Sequence, residues 1–278
     1  MVSRVFDSLE IAIITHATKI LPELGRSDVL KYPGAPGTEL LLKVVCNLND
    51  SLGMAPMNII FDHKIDCSIS CQYLSNLRLF CEEHSVRLFI SPSAAAIPSQ
   101  ITATNAFDLA VNYSQSEYVL LWEHDHLFHE EVDWDLIQLA FDSGAKMVRF
   151  NRRINKSVSD LVPETLEELP ISPNLCRTDY YCNGPFIADR KWLRELFKCA
   201  VVNPPEFSAP FGAFVEGPVN RVMLRDRFNL SADDYNELYP IYLYGGLNAD
   251  PIVSHFGDFP GRRARWTKGL KQLLGFEC

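Results

Sequence analysis

The sequence predicts an α/β fold in which a mainly parallel sheet is flanked by helices. Strand-like apolar runs alternate with amphipathic helical patterns through residues 1–153. This β-α-β alternation is typical of a parallel sheet that is covered by helices on both faces. The chain has 278 residues, of which 47% are hydrophobic, and this is enough for one sizeable core.

The predicted elements of this first part follow one another in a regular order. The first strand is "IAIITHA", and the helix after it carries Leu41, Val44 and Leu48 at helical spacing. Gly144 ends another predicted helix, as glycine commonly does. The predicted strands cover residues 11–17, 58–63, 86–91, 118–122 and 146–152, and the predicted helices cover 38–52, 71–85, 101–115 and 133–144.

The second part of the chain, residues 154–278, is less regular. Residues 154–182 contain three prolines and the acidic segment "PETLEELP", which predict a surface excursion or a small helix between loops. Helical patterns follow at 190–201 and 217–228, and a strand-like stretch begins at Tyr239. We expect residues 1–153 and 154–278 to form two halves of one continuous domain.

Composition excludes some partners. The formal net charge of -9 argues against nucleic acid, because phosphate binding needs a basic face. No apolar run approaches the roughly 20 residues that span a bilayer, so no transmembrane segment is expected. The amino-terminal residues resemble a first strand more than a signal peptide, which indicates a cytoplasmic protein.

The eight cysteines agree with that location. They form no CxxC motif and are expected to be free thiols in a reducing compartment. A zinc site made of Cys67, Cys71, Cys81 and His84 is an alternative, although the spacing is not that of a usual zinc knuckle.

Polar residues end three of the predicted strands. They are Thr15 and His16, then Asp62 and His63, and finally the acidic exit of "YVLLWEHDH", which contains Glu123 and Asp125. The carboxyl ends of parallel strands share one edge of a sheet, and ligands bind at that edge. Carboxylates at i and i+2 can present oxygens to Mg²⁺ or Mn²⁺, and such an ion can bridge to a diphosphate.

These motifs resemble the GT-A glycosyltransferases, especially family 2, in order and spacing. The segments that carry the resemblance are "IAIITHAT", "IIFDHK" and "ATNAFDLAVNYSQSEYVLLWEHDHLF". The family's arginine before asparagine is Thr104 in this chain, and the first aspartate of its DxD motif is Glu123. The resemblance implies a Rossmann-like fold, and it implies that residues 1–153 bind a nucleotide-sugar donor.

The resemblance also implies roles for individual residues. Asp125 and His255, the latter in "PIVSHFGD", would hold the Mn²⁺ or Mg²⁺ ion. Asn183 and Gly184 in "NGPFIADRKWL", together with Trp266, would face a carbohydrate or glycan acceptor. The basic segment "RRARW" is similar to the QxxRW motif and would contact phosphate. The residues expected to bind the donor are Thr15, His16, Asp62, Asn105, Glu123, Arg262, Arg263 and Arg265.

The chemistry of sugar transfer selects a base. An acceptor hydroxyl must lose a proton as it attacks, and a carboxylate within hydrogen-bond reach suits that role. Glu216, in "FVEGPVNRVML", stands where the family carries its catalytic acid pair, so it is the candidate base of an inverting displacement. The alternative is an ordinary acidic residue at a helix start, which gains roughly 0.3–1 kcal/mol from the helix dipole.

Other functions remain open at this stage. A nucleotidyltransferase also uses a parallel sheet and carboxylate-held Mg²⁺, but it favours a glycine-rich loop after the first strand, and "THATKILPELGRS" is not glycine-rich. A metal hydrolase built on His124, Asp125, His126 and His129 would need further ligands. A non-catalytic protein that binds nucleotide sugars is the third alternative.

Overall fold

The computed structural model describes residues 7–17, 37–53, 55–94, 99–156, 165–202 and 215–255. The seven helices within these ranges are α1 (Glu39–Leu52), α2 (Ser68–Glu83), α3 (Ser99–Tyr113), α4 (Trp134–Asp142), α5 (Arg190–Val202), α6 (Glu216–Asn229) and α7 (Ala232–Leu238). The strands are β1 (Leu9–His16), β2 (Met57–Lys64), β3 (Arg87–Ser93), β4 (Tyr118–Glu123), β5 (His126–Phe128), β6 (Met147–Arg149), β7 (Leu166–Leu169), β8 (Ser172–Thr178), β9 (Phe186–Asp189), β10 (Ile241–Tyr244) and β11 (Val253–His255).

Nine of these strands form one sheet, in the order β3-β2-β1-β4-β9-β6-β10-β8-β7. Strands β1 to β4 are mutually parallel, and β6 is parallel to β10. Only β9 and β8 are antiparallel to both of their neighbours, so seven of the nine strands run in one direction. The predicted fold class, a mainly parallel sheet flanked by helices, is confirmed.

The sheet has a hydrophobic cluster on each face. Leu9, Ile11 and Ile13 of β1 belong to the cluster under α1, α2 and α4. Ala12 and Ile14, which alternate with them, belong to the cluster under α3, α5 and α6. Because side chains along a strand point to opposite faces, a strand covered on both faces is apolar throughout, as "IAII" is.

Residues 166–178 differ from the prediction. They form a β-hairpin of β7 and β8 at one edge of the sheet, where the sequence indicated a surface excursion or a small helix. Leu166 and Leu169 are both buried although they are three residues apart, which is a helical spacing. The register of the hairpin shifts between Glu168 and Leu169. Leu166 packs with Cys176 and Leu243, whereas Leu169 belongs to the larger cluster that contains Tyr242 and Tyr244. The two leucines therefore lie on opposite faces of the sheet, as alternation along a strand requires.

The carboxyl end of β4 is followed by a sharp turn, and the turn positions the candidate site. The indole Nε1 of Trp122 donates to the His126 carbonyl oxygen at 2.9 Å. The amide of Asn47 on α1 both donates to the Phe128 carbonyl oxygen and accepts from the Phe128 N–H, each at 2.8 Å. On its other side β5 pairs with β11. These contacts hold the short β5 segment next to the end of β4.

No helix in the described ranges is both long enough and apolar enough to cross a bilayer.

Candidate metal centre

The ends of β1, β2 and β4 meet at the carboxyl edge of the sheet. His16 is paired with Asp62 across β1 and β2, and Ile14 is paired with Glu123 across β1 and β4. The backbone N–H of His124 then donates to the Ile14 carbonyl oxygen at 3.0 Å, which extends the pairing by one residue. The polar strand ends predicted from the sequence therefore lie side by side.

Glu123, Asp125 and His126 form a group that could hold a metal ion, since one ligand atom from each lies within 4.8 Å of the others. The Nδ1 atom of His126 lies 3.2 Å from Asp125 Oδ1 and 3.5 Å from Glu123 Oε2. His126 is fully buried, whereas the two carboxylates are partly exposed. Carboxylate oxygens are ligands that Mg²⁺ and Mn²⁺ prefer, so Glu123 and Asp125 fit such an ion.

The predicted ligand His255 lies on β11, and its Cα is paired with that of His126. The backbone therefore brings residue 255 next to the carboxylate group, although 129 residues separate it from His126 along the chain. Its role as a ligand stays a prediction.

The predicted donor-binding residues of β1 and β2 have different environments. Asp62 is buried, and its Oδ1 lies 3.9 Å from Lys64 Nζ. His16 is exposed, and its ring meets that of His124 edge to face with centroids 4.8 Å apart. Thr15 is fully buried, and its hydroxyl is hydrogen-bonded to the hydroxyl of Tyr73 on α2 at 2.8 Å. Thr15 is therefore the one of these three residues whose side chain faces the core and is bonded to a helix.

Glu216 is the first residue of α6 and is half-buried. Its Oε1 accepts a hydrogen bond from the Tyr180 hydroxyl at 2.7 Å. Burial and the charge of Glu216 raise the pKa of Tyr180, so this hydroxyl keeps its proton and continues to donate. Arg149 donates to the Tyr180 carbonyl oxygen at 2.8 Å, and its guanidinium lies 5.9 Å from the centroid of the Tyr180 ring. The carboxylate is thereby held in one position.

Residues 180–184 connect Glu216 with the carboxylate group at the end of β4. At one end of this segment Tyr180 bonds Glu216. At the other end a Cβ added to Gly184 would lie 3.2 Å from Nε of Arg152. The Nη1 atom of Arg152 lies 2.8 Å from Nε2 of His126. The predicted acceptor residue Gly184 is therefore next to the proposed metal centre.

Two buried polar atoms of the same segment have no hydrogen-bond partner within the described part of the chain. They are the Tyr181 hydroxyl and Oδ1 of Asn183. Burial, followed by the charges of Glu216, Cys182 and Glu123, raises the pKa of Tyr181 well above its usual value. The negative charges of Glu216 and of Glu123 therefore both act on the Tyr181 hydroxyl. Buried polar atoms in proteins nearly always have a hydrogen-bond partner. Each of these two atoms therefore indicates a place where a ligand or a water molecule can bind.

Several predictions lie partly or wholly outside this arrangement. Asn105 is exposed on α3, and no described contact joins it to the site. Arg262, Arg263, Arg265 and Trp266 lie outside the described residues. Among the described residues the three-member group at the end of β4 is the only possible metal cluster of its kind, so the zinc site of Cys67, Cys71, Cys81 and His84 is not formed.

Arg149 and Arg152 were not predicted from the sequence as site residues. Both belong to "VRFNRR", which follows α4. The sequence pattern that could have identified them is only that arginines stand at the end of β6 and just after it. Surface arginines are common at such places, so the pattern by itself had little specificity. Their contacts with Tyr180 and His126 depend on the long-range packing of β6 between β9 and β10.

Comparison with known proteins gives a likeness of fold only. No protein-family model matches the chain, and no curated protein matches it in sequence. One similar solved structure is a Bacillus anthracis protein assigned as a glucose-1-phosphate thymidylyltransferase, in complex with sucrose. The two sequences are 12% identical and the TM-score is 0.45. The match covers 96% of this chain and 94% of that chain.

A second similar structure is that of S. aureus TarS, residues 1–349. It is 11% identical, with a TM-score of 0.44, and the match covers 89% of this chain but only 60% of that chain. Likeness at this level does not identify an activity. The fold of the chain itself is a mainly parallel sheet flanked by helices.

Proposed function

We propose that this protein is a metal-dependent glycosyltransferase that moves a sugar from a nucleoside-diphosphate sugar to an acceptor hydroxyl, with inversion. The observation that carries the proposal is the path from Glu216 to the carboxylates at the end of β4. Tyr180 bonds Glu216, Gly184 lies against Arg152, and Arg152 contacts His126 beside Glu123 and Asp125. One acidic group can thus serve the donor while another serves the acceptor.

The donor side of the proposed site is at the ends of β2 and β4. Asp62 is buried at the carboxyl edge of the sheet and is suited to accept hydrogen bonds from a ribose or a base. Asp125, together with Glu123 and with His255 as a further candidate, would hold Mn²⁺ or Mg²⁺. A bound ion of this kind supplies positive charge that stabilises the diphosphate as it leaves.

The acceptor side is formed by residues 180–184 and the start of α6. Tyr180 occupies one oxygen of Glu216 and fixes the carboxylate, while partial exposure leaves that carboxylate accessible to a substrate. Glu216 then takes the proton from the attacking hydroxyl. Asn183, which is partly exposed, is suited to orient an acceptor, because its Oδ1 is not paired within the described residues.

The first experiment distinguishes the two transferase classes by their products. The protein is incubated with Mn²⁺ and a panel of UDP-, GDP-, CDP- and dTDP-sugars, and separately with nucleoside triphosphates and sugar 1-phosphates. A glycosyltransferase releases a nucleoside diphosphate from the first panel, whereas a nucleotidyltransferase releases pyrophosphate from the second. Release of pyrophosphate alone would overturn the proposal, and binding of sugar nucleotides without turnover would favour the non-catalytic alternative.

The second experiment tests the base. Glu216→Gln keeps the size of the side chain but cannot accept a proton, so transfer should fall by about 10²–10⁴-fold while donor affinity is retained. Glu237→Gln, which changes an exposed carboxylate on α7, is the matched control. Transfer at close to the wild-type rate in Glu216→Gln would show that Glu216 is only a helix-end carboxylate.

A further inference from the structure

We propose that Arg152 is a positioning residue that keeps the proton of His126 on Nδ1, so that His126 orients the carboxylates of Glu123 and Asp125 and does not ligate the ion. The inference rests on the proposed function only for its consequence in catalysis. The arrangement of Arg152, His126 and the two carboxylates is a property of the metal-free protein.

The contact between Arg152 and His126 determines the tautomer. Arg152 Nη1 lies 2.8 Å from His126 Nε2. A guanidinium nitrogen can only donate, so Nε2 of the ring must accept and cannot carry a proton. A neutral imidazole carries its proton on the other nitrogen, which is Nδ1.

The Nδ1 atom is on the side of the ring that faces the carboxylates. Nδ1 lies 3.2 Å from Asp125 Oδ1 and 3.5 Å from Glu123 Oε2, so a proton there attracts both carboxylates. His126 is fully buried and its carbonyl oxygen is bonded by Trp122, which limits movement of the residue. A histidine that orients carboxylates in this way lies outside the ligand shell of the ion.

Gly184 provides the space that this arrangement requires. A Cβ at position 184 would lie 3.2 Å from Arg152 Nε and 3.6 Å from Cys182 Sγ. The first of these distances is tighter than ordinary van der Waals contact, so a side chain there would press on the guanidinium. The glycine is thus explained by its neighbour Arg152, whatever its role toward an acceptor.

The identity of the ligand atoms affects which cation binds. With Nδ1 protonated, Glu123 and Asp125 contribute only oxygen atoms, which suit Mg²⁺ and Mn²⁺. If the Arg152 contact is lost, the proton can move to Nε2 and Nδ1 becomes an available nitrogen ligand. Imidazole nitrogen favours Zn²⁺ and related ions. Arg152 therefore favours an oxygen ligand set over one that includes His126.

The tautomer is measured directly by long-range ¹H–¹⁵N NMR of the metal-free protein, with His126 assigned by the loss of its signals in His126→Gln. We expect wild type and the control Arg153→Met, which removes an exposed neighbouring guanidinium, to show the Nδ1–H form. Arg152→Met should show the Nε2–H form or a mixture, and Arg152→Lys, which keeps an N–H donor, should restore Nδ1–H. An Nε2–H ring in the wild type would overturn the proposal.

Calorimetry with Mn²⁺ and with Zn²⁺ alone gives the second readout. Arg152→Met should raise the ratio of Zn²⁺ to Mn²⁺ affinity by about 10–100-fold, the range found when partners of metal ligands are removed. An unchanged ratio in a folded Arg152→Met protein contradicts the proposal. Gly184→Ala, which disturbs the same guanidinium without removing it, should shift the ratio in the same direction and covers the case in which Arg152→Met does not fold. Neither readout needs turnover, so a protein with the expected tautomer and no transferase activity would refute the proposed function alone.

Discussion

The two edges of the sheet both hold acidic side chains, one at the amino edge and a group of two at the carboxyl edge, and their surroundings differ. At the amino edge Glu10 of β1 is buried, and both of its oxygens accept hydrogen bonds. Its partners are the Asn58 amide, the Arg87 guanidinium, the Ser114 hydroxyl at 2.7 Å, and the backbone N–H groups of Gln115 at 2.7 Å and Ser116 at 3.3 Å. At the carboxyl edge Glu123 and Asp125 are partly exposed and lie near each other as like charges.

The difference shows how the same residue type serves stability in one place and ligand binding in another. A buried carboxylate that is fully hydrogen-bonded fixes the elements that surround it, and here it joins β1, β2, β3 and the end of α3. Two carboxylates close together repel each other and are stabilised when a cation binds. A site that is selected to bind a cation therefore lowers the stability of the protein when no cation is bound, and Glu123 and Asp125 have this arrangement. Substitutions at the amino edge should therefore change stability, and substitutions at the carboxyl edge should change ligand binding.

The largest expected effect is that of Glu10→Ala on stability. The substitution leaves the buried Asn58 amide and the nearby donors without their acceptor, and loss of one partner of a buried charged pair typically costs about 3–5 kcal/mol. Urea denaturation should show this loss in the free energy of unfolding, with Glu82→Ala on the exposed face of α2 as the control. A loss below about 1 kcal/mol would mean that Glu10 does not hold the strands together.

Asp125→Ala should show the reverse behaviour. Metal-dependent binding of the nucleotide should weaken by about 100-fold, or about 2.7 kcal/mol, because a ligand of the ion is lost. The free energy of unfolding should stay within about 0.5 kcal/mol of the wild-type value or rise, since a repulsion is removed. Calorimetry with Mn²⁺ and the matching nucleotide measures the first effect, and Asp50→Ala on α1 is the control. Unchanged metal-dependent affinity rules out this metal centre.

Asp62→Asn should have a smaller effect, and one that needs no metal. If Asp62 accepts a hydrogen bond from the base or ribose, its neutralisation should weaken nucleotide binding by about tenfold, or about 1.4 kcal/mol, with and without Mn²⁺. Asp66→Asn, which changes an exposed carboxylate just beyond β2, should leave affinity unchanged. A change confined to the metal-dependent part of binding would contradict this role.

The smallest effect is the acid sensitivity that Glu10 contributes. Burial by itself would raise the pKa of Glu10, but hydrogen bonds from Ser114, Asn58 and the backbone N–H groups of Gln115 and Ser116 outweigh it and lower the pKa. A carboxyl whose pKa is lowered on folding stabilises the protein above its unfolded pKa, which is about 4.3 for glutamate. That contribution is lost as the pH falls through the lower, folded pKa. Denaturation from pH 7 to pH 3 should show a steeper loss of stability in wild type than in Glu10→Gln, and equal slopes would contradict the assignment.

The amount that could be predicted from the sequence differed between the halves of the chain. Strands β1 to β4 and the helices between them were predicted within a few residues, because a parallel sheet covered on both faces produces continuous apolar runs. The β7–β8 hairpin was missed, because the prolines and the acidic segment of residues 154–182 favour loops, and the pairing of β7 with β8 is not visible in a local pattern. The i and i+2 spacing at the exit of β4 predicted that Glu123 and Asp125 would lie together. No pattern in the sequence predicted that Arg152 would contact His126.

The amino-acid sequence is enough to predict the fold class, the acidic exit of β4 and a candidate base at the start of α6. These features are local, because strand periodicity, a carboxylate pair at i and i+2 and a helix start can each be read within a few residues. Only the packed structure shows that Thr15 bonds Tyr73, that Tyr180 holds Glu216, and that Arg152 contacts His126. Each of these contacts joins residues that are 26 or more positions apart. Such pairs come together only through the order in which the strands pack, which no local pattern records.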